Sequence, residues 1–427
     1  MPRILYGNFE FEHELESTAY RPPARIAAMS AQLAPHLIAL AEDGDFAWSP
    51  VEMPRSFLNA AARIGLPNVK CVGPFGEVGA VSSEKLDLLP WGFSEAAARF
   101  ALSRDWTANC PDVQSVRKVN DREFAFDLEA ALDCGLPRSA RVRSHDEFLT
   151  AVRLASARLD LPETELRWVA KCRFGMASRG RILGTGLQLD DAAAGWLWKQ
   201  FAKNGSVLFE PWCECDREFS TQWVIPPEPG PPVLRGWTEI QTERAGTPSG
   251  WLRPAGVPFS DSEFRSALPA LNAAVEGVAS AGYFGPVGID SMRLRLPGST
   301  NSAPMLRPLQ DINARHTLGR VALELADRLA LDSDAAWLQV PSKKLCRILE
   351  VGSAQDALKL YSECGLDISS SLLKGRLFAD SPTLLPGDAQ AWLTSPLWTG
   401  DVPASRCGVL IASRERSKLK EFFRGIQ

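Results

Sequence analysis

The chain lacks most of what a membrane, secreted or nucleic-acid-binding protein needs. No apolar run approaches the roughly 18 residues of a membrane span, and the opening "MPRILYGNFEFEHELES" has no apolar stretch of the export kind. Its nine cysteines, an odd number without framework spacing, fit a reduced cytoplasmic protein better than a disulfide scaffold. Cys213 and Cys215 form the tightest pair, but no second pair and no nearby histidine complete a zinc set. A net charge of −4, with both signs interspersed, creates no field for nucleic acid or acidic lipid. No G-x-G-x-x-G follows the first strand and no G-x-x-x-x-G-K-[ST] loop occurs, so the dinucleotide fingerprint and the Walker loop are both excluded. No internal repeat is present.

What remains is an ordinary globular composition, 45% hydrophobic and 23% charged, over 427 residues, which is too long for one compact core. "RILYGN" (3–8) reads as a first strand. Helical stretches at 23–42, 55–64 and 92–104 alternate with short strands such as "VKCVG", predicting an α/β layer over 1–112. From 113 the texture changes. Helices are expected at 120–137, at 144–160 behind a Ser144–Glu147 capping box, and at 190–205 before a glycine stop. The strand "LRWVAK" ends at Lys171 and meets the loop "CRFGMASRG". The strands "SVLFEPW" and "EFSTQWVI" follow, then a helix at 261–281. A further segment, 337–427, carries Pro/Gly-rich turns and an amphipathic tail and is expected to stand apart.

The densest chemistry lies in "VGIDSMRL" and "MLRPLQDIN", which flank a turn rich in Pro, Gly, Ser and Asn and read as a hairpin. A loop over 297–304 sets Asp290 opposite Asp311, with Asn313 on the same face and Arg315 two residues on. Directly opposed like charges destabilise a hairpin, and a divalent cation on oxygen ligands would reverse that sign. A strand-end cap with a solvated partner is the other reading of the same spacing. A one-residue slip would turn one carboxylate away. Lys171 beside a glycine loop suits phosphate, although a solvated turn suits it too. Glu210 and Glu218 bracket a turn and could meet a purine or a ribose.

Taken in order, "GYFGPVGID…LQDINAR", Lys171 with "FGMASRGR", and "FEPWCECDREFS" resemble the ATP-grasp superfamily of carboxylate–amine ligases over 113–330. The resemblance implies a two-lobed ATP-grasp core (113–336) behind an N-terminal Rossmann-like domain, with the C-terminal extension unclassified. It implies magnesium on Asp290, Asp311 and Asn313, and ATP held by Arg122, Lys171, Ser178, Glu210, Trp212 and Glu218. Within that set Glu210 and the backbone of Trp212 would meet adenine, and Glu218 the ribose. Arg315 and Lys171 are the implied catalytic pair, Arg315 matching the arginine that stabilises an acyl-phosphate-derived transition state. Two positions depart from the family pattern: Asp311 stands where glutamate is usual, and Arg122 where lysine is. The implied activity joins a small-molecule carboxylate to an amine at the expense of ATP, with no nucleic-acid or membrane partner and a homodimer left open. An ATP-binding regulatory module without ligase chemistry is the alternative, and a kinase the weaker third. His316 is either a substrate-side group or a local helix-start residue.

Overall fold

A computed structural model describes residues 2–74, 85–175, 180–242, 248–255, 262–298, 304–375, 385–400 and 402–425. Three sheets of four or more strands organise them, beside a two-stranded ladder of Trp398–Thr399 with Val402–Pro403. The first is parallel and four-stranded, in the order Lys70–Val72, Phe46–Trp48, Arg3–Tyr6, Asp87–Pro90. Helices Ala24–Leu33 and Arg55–Arg63 connect strands of this sheet and Glu95–Leu102 follows its last one, giving the expected Rossmann-like layer. A 3-10 turn at Ala34–Leu40 continues the first of them, where one helix over 23–42 was expected. Pro35 ends the α-helical ladder there because it brings no N–H.

The second sheet is antiparallel, ordered Ala140–Val142, Val207–Pro211, Arg167–Lys171, Arg181–Thr185. Helices His145–Leu159 and Asp191–Asn204 pack on it through a separate apolar cluster that includes Phe148, Trp168 and Phe209. Trp168 fits because Gly184 lies opposite it; a Cβ there would sit 2.1 Å from the indole. The capping box forms with one change. Ser144 accepts from the Glu147 N–H at 3.1 Å, while the Glu147 carboxylate accepts from Arg143 N–H rather than from Ser144.

The third sheet has eight antiparallel strands, ordered Met305–Asn313, Gly285–Arg295, Glu214–Ile225, Val233–Thr242, Pro248–Arg253, Asp334–Pro341, Arg406–Ser413, Gln390–Leu393. The segment expected to stand apart from 337 therefore extends this sheet. That boundary falls inside Asp334–Pro341, whose run of buried residues marks an interior strand. The tail helix Arg416–Gly425 buries Leu419, Phe422 and Phe423. One core runs from the N-terminal layer through this sheet to the tail. No described helix is long and apolar enough to cross a membrane.

Candidate active site

The hairpin brings its carboxylates together as expected: Asp290 pairs directly with Asp311, and Gly288 with Asn313. The route to that register differs from the sequence argument. Near the loop, Leu294 pairs with Met305 and Met292 with Arg307; continued unchanged, this would place Leu309 opposite Asp290. A bulge across 308–310 shifts the register, with the Ser291 hydroxyl opposite it donating to the Pro308 carbonyl at 2.7 Å. Proline can occupy a bulge because no ladder bond needs its nitrogen.

Burial, and then Asp311, push Asp290 up to about 6, against hydrogen bonds from Ser220 and Asn313. Asn313 Nδ2 donates to Asp290 at 2.9 Å and its Oδ1 accepts from Arg315 at 2.9 Å. Arg315 also binds Glu12 of the N-terminal layer, Nε to Oε1 at 2.6 Å. Glycine is required in the approach to this row. Gly285 has φ +117°, and a Cβ on Gly288 would meet the Thr317 methyl at 2.6 Å. Beyond the row, Asn120 accepts from Ala314 N–H at 2.9 Å, anchoring the segment to the helix start below.

Arg122, expected from the resemblance where lysine is usual, has several partners. Its guanidinium donates to the carbonyls of Cys172 (2.9 Å) and Gly175 (3.1 Å) and lies 3.4 Å from Asp311. It thus ties the start of the glycine loop to the hairpin. Ser178, in that loop, lies outside the described residues.

Lys171 ends its strand as expected, and its Nζ stands 2.7 Å from Glu210 Oε2. Glu210 is also gripped by Arg307, at 3.0 and 3.2 Å. Burial alone would raise the Glu210 carboxyl, yet Arg307 and Lys171 hold it well below the usual carboxylate range. Glu218 is pushed up to about 7 by burial and then by Asp290, against Arg181 and Lys171. It lies in the large sheet, paired with Ile240 on one side and Met292 on the other. The ring of Trp212 has the guanidinium groups of Arg167 and Arg181 within 5.8 and 5.7 Å of its centre, and the backbone N–H of Trp212 donates to the Arg167 carbonyl at 2.9 Å.

His316 does not cap the next helix; Thr317 does, accepting from Arg320 N–H. Burial, then Arg320, Arg3 and Arg315, push the imidazole down to about 3, and neither ring nitrogen has a hydrogen-bond partner among the described residues. Glu12, Asn120, Glu129 and Arg307 were missed in the sequence. Glu129 carried a faint signal, an acid one helical turn beyond buried Ala125 on the same face.

Two opposed carboxylates and an amide are hard oxygen donors that suit magnesium when phosphate oxygens complete its shell. The charge pattern agrees, since a cation would relieve the repulsion that raises Asp290. Among the described residues no cluster of three or more His, Cys, Asp or Glu forms a metal site by itself.

In comparisons with known proteins, no family model and no curated sequence matches the chain. Solved structures do. N5-carboxyaminoimidazole synthetase from Staphylococcus aureus complexed with ADP matches with a TM-score of 0.52 and 10% identity, over 93% of this chain and 95% of that one. The biotin carboxylase domain of the Hydrogenobacter thermophilus 2-oxoglutarate carboxylase, in complex with MgADP, ADP and bicarbonate, matches at 0.51 and 11% identity, over 96% and 85%. Biotin carboxylase from Campylobacter jejuni, as its β-γ-ATP complex, matches at 0.50 and 12% identity, over 96% and 86%. At such identities the likeness is one of fold. The chain has the ATP-grasp fold behind an N-terminal α/β domain.

Proposed function

We propose that the protein is an ATP-dependent ligase that activates a small-molecule carboxylate and joins it to an amine. The observation that carries this reading is the continuous row Asp290, Asp311, Asn313 and Arg315, laid across two strands and linked through Arg122 to the glycine loop. The ADP and ATP complexes of the structural neighbours support ATP as the co-substrate.

Asp290, Asp311 and Asn313 would hold magnesium, which when bound supplies charge neutralisation at the phosphates. A carboxylate oxygen of the substrate attacks the γ-phosphorus as the bond to ADP breaks, giving an acyl phosphate. The amine nitrogen then attacks the acyl carbon, phosphate leaves, and the amine proton is lost. Lys171 and Arg122 offer fixed positive charge to the phosphates. Arg315, whose guanidinium plane is oriented by Glu12 and Asn313, would stabilise the oxyanion that develops at the acyl carbon. A cysteine set without framework spacing supports a cytoplasmic setting.

The test is phosphate release from Mg-ATP across panels of carboxylic acids with and without amines. Release that needs both an acid and an amine supports the ligase. Tight ATP binding with no release on any pair would favour a regulatory module, and ADP formed with the acid alone while the phosphate stays on a stable acyl phosphate, a kinase.

A further inference from the structure

Four charged side chains from four elements, three of them buried, meet beside the candidate site. Arg307, on the hairpin strand, binds Glu129 through Nε (2.6 Å) and Nη2 (2.8 Å). The same guanidinium binds Glu210 through Nη2 (3.0 Å) and Nη1 (3.2 Å). Lys171 completes the set at 2.7 Å from Glu210. The side chains of Arg307, Glu129 and Glu210 are 3%, 4% and 8% exposed, so each charge depends on the others rather than on water. Two positive and two negative groups balance.

The placement follows from the strands and the helix. Val169 pairs with Glu210, so Lys171, two residues on, projects from the same face and reaches Glu210 diagonally. Arg122 and Glu129 lie two turns apart on the Arg122–Ala131 helix, and they bind Asp311 and Arg307 on one hairpin strand. The helix is a strut along the hairpin. Three of the roughly four lone-pair positions of the Glu210 carboxylate are taken, which leaves little for an adenine edge.

We infer that Glu210 is a positioning residue for Lys171, fixing the direction of its ammonium and keeping it charged for the nucleotide phosphates, while Arg307 and Glu129 lock Glu210 to the hairpin. The inference rests on the nucleotide-binding reading above and gives Glu210 a task other than meeting adenine. Around Lys171 stand Glu210, Arg307 on the same carboxylate, Glu129 behind it, Glu218 and the Cys213 thiol, with Arg122 acting on Glu210 from the strut. Remove the Glu210 charge and Lys171 is left half-buried near Arg307. Both burial and the like charge then favour the neutral amine.

Calorimetric titration of ATP and of adenosine into wild type, Glu210→Gln and Glu210→Asp, from about pH 6 to about pH 9, separates the roles. Positioning predicts adenosine affinity within about twofold of wild type in both variants. It also predicts that Glu210→Gln loses ATP affinity relative to wild type increasingly as pH rises, by about tenfold or more at the top of the range. Glu210→Asp, which keeps the charges balanced and so preserves the fold, should restore a pH-independent ATP ratio. Equal loss of adenosine and ATP in either variant would overturn the inference and return Glu210 to the base. An ATP ratio for Glu210→Gln that does not change with pH would overturn it as well. Failure of wild type to bind ATP at all would instead remove the proposed function.

Discussion

Asp290 and Asp311 share one face with no fixed cation directly between them, and that arrangement has opposite consequences for stability and for binding. Asp290→Asn removes a like-charge contact, so without metal its melting temperature should hold or rise, by roughly 0.2–1 kcal/mol in stability. Its affinity for Mg-ATP should fall sharply. Thermal unfolding in chelator beside nucleotide titration checks both halves; a variant that unfolds easily yet binds normally would make the carboxylates structural. Arg315 behaves differently because it has partners in two domains. Arg315→Ala should bind ATP nearly as tightly as wild type and turn over at least ~100-fold more slowly. It should also lose about 1–3 kcal/mol of stability, because the Glu12 carboxylate is then buried without its cation. Arg315→Lys should recover stability more fully than turnover, since an ammonium lacks the planar fork. Turnover unchanged in Arg315→Ala would take this residue out of the chemistry.

The hairpin illustrates how far an element can be read from its letters. Alternation and turn composition identify the two strands and the residues that share a face, and the Asp290–Asp311 pair was reached that way. The bulge was not. Nothing in "LRPLQD" fixes whether Pro308 is accommodated by ending the strand or by bulging it, and the answer depends on the buried hydroxyl of Ser291 on the neighbouring strand. Ser291→Ala should therefore cost about 1–3 kcal/mol by urea denaturation, leaving the Pro308 carbonyl buried without its donor. It should also weaken Mg-ATP binding by disturbing the register on the Asp311 side. A variant as stable as wild type would mean that backbone geometry alone holds the bulge. The Lys171–Glu210–Arg307–Glu129 cluster was illegible for a related reason: its members come from distant segments and meet only when the helix lies along the hairpin.

At the scale of the molecule, the fold class was legible from the residue motifs that carry the family resemblance, and the parallel N-terminal layer from strand–helix alternation. The fate of the C-terminal segment was not, because an antiparallel strand added at a sheet edge needs no connection pattern that a sequence displays. The layer and the large sheet meet at His36, which contacts Gln339 at 3.2 Å and packs edge-on to Trp337. Burial pushes this imidazole from 6.5 down to about 4, against the hydrogen bond from Gln339. The unfolded chain therefore binds its proton first, and the contribution of neutral His36 is present above pH 6.5 and lost as pH falls toward 4. Against His36→Gln, wild type should lose relative stability on acidification by up to about 1.4 kcal/mol per pH unit, read from urea unfolding. A gap that does not change with pH would contradict a neutral buried His36. The central claim concerns nucleotide and metal together, and calorimetric titration of wild type with ATP, in millimolar magnesium and then in chelator, tests it most directly. The account predicts binding that magnesium strengthens and that Asp311→Asn loses. No binding in magnesium, or equal binding in its absence, would contradict it.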